Sequence, residues 1–210
     1  MQTPRIKVLC VDDHRVVLEG VASMIRRQAD MITVGLAPTG ETALALFQEK
    51  QPDVTLMDLK LPGMSGLETI RRIRHLRPGA RIVVLTMFEG DEDIYRALQA
   101  GATAYLLKDV VTRDLVRTIR DVHAGKCPMP ATVAERLGAH PPRAALSTRE
   151  VAVVRLIAQG RRNKEIASKL GISLETAKVH VKHLLGKLAV RDRAAAVTHA
   201  LRRGIIHLDD

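Results

Sequence analysis

Five residues of types that handle metal ions and phosphoryl groups fall at the ends of apolar, strand-like runs in the first 124 residues: Asp12, Asp13, Asp58, Thr86 and Lys108. Three carboxylates meeting in one crevice repel one another. A hard divalent cation among them makes the arrangement favourable, and magnesium suits both oxygen ligands and phosphoryl partners. Lys108 and Thr86 would then offer a positive charge and a hydroxyl to the oxygens of a phosphoryl group. A single Asp at a strand end is ordinarily a turn residue or a helix cap. Five chemically matched residues at four strand ends are not explained that way.

The elements that must position them can be read from periodicity. Short β-branched runs at Ile6–Val11, Ile32–Leu36, Val54–Met57, Ile82–Leu85 and Ala104–Leu107 alternate with amphipathic segments at about 15–28, 40–50, 66–76, 91–100 and 112–123, which is the pattern of βαβ units. Five such repeats predict an α/β fold, a doubly wound parallel sheet with helices on both faces. Ligands bind such sheets at the carboxyl ends of the strands, where the five residues fall.

The Asp12-Asp13 pair, Asp58 followed by Leu59-Lys60-Leu61-Pro62-Gly63, Thr86, and Tyr105-Leu106-Leu107-Lys108 resemble the receiver domain of bacterial two-component response regulators, across essentially all of residues 5–124. The resemblance implies a flavodoxin-like five-stranded sheet and a phosphoacceptor at Asp58, which would attack the phosphorus of a phosphohistidine donor. It further implies that Asp13, Asp58 and the backbone carbonyl of Lys60 bind Mg2+ directly, and Asp12 through water. Lys108 would pair with the phosphoryl oxygens, Thr86 would move to bond one of them, and Tyr105 would turn inward as Thr86 vacates its space. Met87, followed by Phe88, stands where receivers often carry a small residue, and its bulk is expected to narrow access to the phosphoryl group.

Beyond residue 124 the chemistry changes. The net charge of the 210-residue chain is +10. Residues 1–124 hold 17 Lys and Arg against 16 Asp and Glu, for +1, whereas residues 125–210 hold 16 against 7, for +9. Gly and Pro punctuate 125–145, read as a linker. From Leu146 on, the pattern is helical: Ser147-Thr148-Arg149-Glu150 has the form of a capping box, Gly160 and Gly171 are placed to end two helices, and Ser173 to cap a third running to about Leu188. A fourth spans about 192–203. At about 100° per residue, Ala177, Val181, Leu184 and Leu188 form the core stripe of the third helix. Glu175, Lys178, Val179, Lys182 and Gly186 lie broadly opposite. Two lysines flanking a small apolar group can reach guanine edges or phosphates and a thymine methyl in a major groove.

Leu146-Ser147-Thr148-Arg149-Glu150, Ile157-Ala158-Gln159-Gly160, Asn163-Lys164-Glu165-Ile166-Ala167 and Glu175-Thr176-Ala177-Lys178-Val179-His180-Val181-Lys182 resemble the LuxR-type helix-turn-helix DNA-binding domain. With the receiver, the whole is similar to the NarL/FixJ family of response regulators: residues 1–124 receiver, 125–145 linker, 146–210 DNA-binding domain. The resemblance implies base contacts from Lys178, Val179 and Lys182, phosphate contacts from Thr176 and His183, and a dimer surface around Arg193–Arg202. Its expected partners are double-stranded DNA, a sensor histidine kinase and, when phosphorylated, a second copy of the chain, with RNA polymerase a further candidate.

Other classes fit less well. Cys10 and Cys127 form neither a CxxC nor a disulfide framework, and four aromatic residues are too few for a base-stacking surface. No run approaches the 18 or more apolar residues of a membrane span, and the N-terminus lacks the apolar core of a secretory signal, so a cytoplasmic protein is expected. Asp58-Leu59-Lys60 lacks the second Asp of haloacid-dehalogenase-type phosphohydrolases, and no P-loop or G-x-S-x-G elbow is present. An enzyme is therefore not expected. Ligand-sensing quorum regulators match only the C-terminal part, and His180 with His183 lacks a third ligand for a metal.

Overall fold

In the computed structural model, the structure describes residues 4–87, 90–108, 111–128 and 146–207, with the backbone alone for 111–113. Phe88 and residues 129–145 of the expected linker lie outside the described residues. The chain divides into two compact units, one built on a sheet and one on helices.

The first unit alternates β1 (Ile6–Val11), α1 (Arg15–Arg26), β2 (Met31–Ala37), α2 (Gly40–Lys50), β3 (Val54–Met57), α3 (Gly66–Leu76), β4 (Ile82–Thr86), α4 (Asp91–Ala100), β5 (Ala104–Leu107) and α5 (Val111–His123). All four strand pairings are parallel, and the order is β2-β1-β3-β4-β5. Chain order reverses at β1, so the crevice at the carboxyl ends of β1 and β3 is the topological switch point. The central strands β3 and β4 are buried along their whole length, as both faces of a parallel sheet must be. One layer of the core packs Val8, Cys10, Leu56, Val83, Leu85 and Leu106 against Leu18, Ile25, Leu115 and Ile119.

The second unit consists of α6 (Thr148–Ala158), α7 (Asn163–Leu170), α8 (Leu174–Leu188) and α9 (Arg193–Arg202). Ser147 forms the expected capping box with Glu150, its hydroxyl accepting from the Glu150 amide at 3.3 Å while the carboxylate accepts from the Ser147 amide at 2.7 Å. Gly171, at φ +61°, lets the chain leave α7 in the left-handed region that costs glycine least. Two residues later the Ser173 hydroxyl caps α8 through the Thr176 amide at 3.0 Å. Ala177, Val181, Leu184 and Leu188 of α8 all enter the core with Val153, Ile166, Ala196 and Ile206, so the stripe read from 100° spacing is the buried one. Among the described residues no helix is long and apolar enough to cross a membrane.

Candidate functional site: an acidic phosphoryl pocket and a basic helix face

The crevice gathers its residues from the carboxyl ends of three strands. Asp12 and Asp13 follow β1, Asp58 follows β3, and Lys108 follows β5. The approach is close because α3 opens with glycine: a Cβ at Gly66 would lie 2.0 Å from the carbonyl oxygen of Asp58 and 2.7 Å from the Cα of Leu59. The Gly66 amide donates to the Leu59 carbonyl at 3.0 Å, so the start of α3 props the loop that carries Asp58.

Asp58 is almost fully buried, as is Asp12. One Asp58 oxygen, Oδ1, accepts from the amides of Leu59 at 2.7 Å and Lys60 at 3.4 Å. Its other oxygen, Oδ2, accepts from Lys108 Nζ at 2.7 Å, and the Thr86 hydroxyl also bonds the carboxylate. Lys108 Nζ lies 2.6 Å from Asp12 Oδ2 as well, and its backbone amide donates to the Thr86 carbonyl at 2.9 Å. The ammonium is thus shared between two buried carboxylates. Burial pushes the Asp58 carboxyl above its ordinary value, with repulsion from Asp12 adding to it, against the hydrogen bond and charge of Lys108 and the Thr86 hydroxyl. Burial works against the Lys108 ammonium too, but its bonds to Asp12 and Asp58 outweigh that and raise its pKa. An anionic site that remains under-neutralised is suited to take up a further cation.

Donor atoms from Asp12, Asp13, His14 and Asp58 all lie within 4.8 Å of one another. Hard carboxylate oxygens in that number fit a magnesium ion. Lys60 joins the site through its amide. Tyr105 is only 1% exposed and stands in register with Val84 of β4. It already points inward while Thr86 is bonded to Asp58, so the outward starting position implied by the resemblance is not the one observed. The Met87 side chain, which follows β4, is 67% exposed. The sequence reading missed His14, whose only signal there is adjacency to Asp13.

In the helical unit, Glu175, Thr176, Lys178, Val179, Lys182 and His183 are exposed on α8, and His180 is half-buried. Val179 is 48% exposed, a methyl-bearing side chain between two lysines on a solvent face. Lys178 Nζ is held by Glu175 Oε1 at 2.7 Å, a pairing that spacing alone did not reveal. The rigid support behind this face includes a long-range ion pair between Lys187 and the capping Glu150 at 2.7 Å and the Arg149 guanidinium donating to the Leu170 carbonyl at 2.7 Å.

Comparison with known proteins bears on both sites. Residues 8–120 match the response regulator receiver domain, and residues 144–200 match the bacterial regulatory proteins of the luxR family. The uncharacterized transcriptional regulatory protein YhcZ of Bacillus subtilis (strain 168) is 40% identical over 206 residues, covering 94% of this chain and 96% of that protein. The response regulator protein VraR of Staphylococcus aureus (strain NCTC 8325) is 36% identical over 206 residues, covering 96% and 99%. The structure of RcsB from Salmonella enterica serovar Typhimurium, bound to promoter rprA in the presence of phosphomimetic BeF3-, is 26% identical with a TM-score of 0.66, covering 93% of this chain and 98% of that one. With a parallel sheet ending in a lysine-bridged acidic crevice and a capped helical unit displaying α8, the chain belongs to the LuxR/NarL-type two-component response regulators, transcription regulators that join a receiver to a helix-turn-helix DNA-binding domain.

Proposed function

We propose that Asp58 is the phosphoacceptor and that its modification by a sensor histidine kinase shifts the chain toward a homodimer that binds paired DNA half-sites. The observation that carries this reading is the convergence of the Lys108 ammonium and the Thr86 hydroxyl on the buried Asp58 carboxylate. An Asp58 oxygen attacks phosphorus in line, the P–N bond of the phosphohistidine breaks, and the imidazole leaves with the electron pair and takes up a proton. Asp12, Asp13 and Asp58, with the Lys60 carbonyl, would hold Mg2+, which when bound offsets the charge that builds on the phosphoryl oxygens. The chain's own part is to hold the nucleophile still through the Leu59 amide and to present Lys108 to the incoming oxygens. Thr86 exchanges its bond to Asp58 for one to the phosphoryl group, and Tyr105 keeps the space behind it filled. This is a local charge change biasing a two-state element.

On the DNA side, α8 enters the major groove with Lys178, Val179 and Lys182 at base edges, while Thr176 and His183 meet phosphates. Lys178 exchanges Glu175 for DNA. α9 is the dimer surface, and two-fold pairing places two α8 helices on half-sites about one helical turn apart. The described elements fit a division into receiver (1–124), linker (125–145) and DNA-binding domain (146–210). The RcsB complex, a relative captured on DNA with a phosphomimetic, supports the coupling of the two units.

The test is intact mass after incubation of wild type and Asp58→Asn with Mg2+ and a small-molecule phosphodonor, followed by sizing of each sample. One phosphoryl adduct on wild type alone, with a shift toward dimer, is expected. An unmodified wild type in fresh donor would replace this reading with a phosphorylation-independent DNA binder.

A further inference from the structure

We propose that His14 supplies an imidazole nitrogen to the metal ion of the acidic pocket, so that this pocket favours borderline divalent metals such as Mn2+ and Co2+ over Mg2+ more than its carboxylates alone would. The inference rests on the assignment of Asp12, Asp13 and Asp58 as metal-holding residues.

His14 occupies the N-cap position of α1 in an extended conformation, yet its side chain makes no cap hydrogen bond. N-cap side chains ordinarily turn back to the first amides of their helix. This one turns to the pocket instead, with Nδ1 2.7 Å from Asp13 Oδ1 and 3.3 Å from Asp12 Oδ1. Its backbone amide donates to Asp12 Oδ1 at 2.9 Å, so the Asp12 carboxylate fixes the residue that carries the ring. The ring is 65% exposed and can turn about χ1 and χ2 without disturbing the core.

Nδ1 at 2.7 Å from Asp13 Oδ1 is at hydrogen-bond distance, and a turn of the ring exchanges that bond for an ion held by the same carboxylates. The four donor atoms lie within 4.8 Å of one another, close to the about 4.2 Å that separates opposite ligands of an octahedral ion bound at about 2.1 Å. Three oxygens and an imidazole nitrogen make a mixed donor set. Mg2+ gains little from nitrogen and keeps its waters, whereas imidazole suits first-row transition metals, with affinity rising from Mn2+ through Co2+. Lys108, bonded to Asp12 and Asp58, approaches from the β5 side, while His14 approaches from the start of α1. Lys108 meets Asp12 through Oδ2 and His14 meets it through Oδ1.

The experiment uses the full chain. Mn2+ binding is followed by EPR, with Mg2+ and Co2+ as competitors, in wild type, His14→Ala and Asp13→Asn, and nitrogen coupling to bound Mn2+ is read by pulsed EPR. The expected result is an imidazole nitrogen coupling in wild type that disappears in His14→Ala, with Co2+ affinity falling about tenfold more than Mg2+ affinity. Absence of nitrogen coupling, with Mn2+ binding still weakened by Asp13→Asn, overturns the ligand role and leaves the pocket assignment standing. An equal loss for all three metals also overturns it, since a residue that only orients Asp13 acts alike on each. Mn2+ binding that ignores Asp13→Asn overturns the pocket assignment and this inference together.

Discussion

The two units bury carboxylates in opposite ways. In the receiver, Asp12 and Asp58 are 3% exposed and share one ammonium, and burial leaves Asp58 harder to ionise than in water. In the helical unit, Glu150 is 5% exposed, and burial acts on it too. There, however, Lys187 and the Ser147 amide and hydroxyl more than compensate, and its pKa is lowered. One carboxylate is bonded but still disfavoured as a charge by its burial, while the other is stapled into a helix start. The proposed function sits where the electrostatics are unresolved in the receiver, and on an exposed surface above a resolved scaffold in the DNA-binding unit. Strain of this kind, stored where a partner will relieve it, is the expected signature of a switch.

The largest effect is expected from the residue that lets the receiver be strained at all. Gly66→Ala would place a methyl group against the backbone of Asp58 and Leu59, where no side-chain rotation relieves it. A loss of more than about 3 kcal/mol, or a displaced Asp58 loop that no longer takes up a phosphoryl group, is expected. Thermal unfolding and intact mass on the same sample would separate the two. A variant of wild-type stability that phosphorylates normally would show that α3 does not prop the site.

On the other unit, truncation of the display face should leave the scaffold alone. Lys182 lies on the exposed face of α8, so Lys182→Ala is expected to leave the melting temperature unchanged and to weaken binding to a cognate duplex by about 1–3 kcal/mol. Affinity should also fall steeply with salt, because neutralised phosphates release counterions. Fluorescence anisotropy across a salt series checks both, and an unaltered affinity would take α8 out of the groove. The scaffold itself responds to Glu150→Gln, which keeps an acceptor for Ser147 but removes the charge facing Lys187. Since Lys187 is partly exposed, a loss of about 1–2 kcal/mol is expected.

Much of this contrast was legible in the residues. β3 at Val54–Met57 and α3 at Gly66–Leu76 fall where the sequence places them, because a short β-rich run followed by an amphipathic segment admits few alternatives. The buried stripe of α8 followed from its spacing for the same reason. Contacts set by tertiary placement were not legible. Glu150 and Lys187 are 37 residues apart, and nothing local in either predicts their pairing. His14 reads as an ordinary loop residue until the start of α1 fixes its direction. The inward Tyr105 depends on how β5 packs, which β-strand alternation in a four-residue strand does not decide.

The sharpest form of the comparison is a substitution that strengthens one fold by removing its proposed phosphoacceptor. Asp58→Asn is isosteric and uncharged: its one amide oxygen can accept from the Leu59 amide or from Lys108 but not both, and Lys108 retains Asp12 at 2.6 Å. The carboxyl of Asp58 titrates above its ordinary value of 3.8, so the folded state holds its proton more tightly than the unfolded state does. The cost of ionising it is absent below about pH 3.8, appears as the pH rises through the folded-state pKa, and is complete above that. Glu150 has the opposite sign. Its pKa lies below the ordinary 4.5, so its contribution is complete above about pH 4.5 and is lost as the pH falls through the folded-state value. Asp58→Asn should therefore stabilise the receiver near neutral pH, read as a higher melting temperature, and the gain should vanish in acid. Glu150→Gln should do the reverse in the helical unit, destabilising at neutral pH and converging on wild type as acid removes the charge of Glu150. Paired melting curves from pH 3 to pH 8 read both signs, and an Asp58→Asn variant less stable than wild type at pH 7 would show that Lys108 already resolves the pocket's charge.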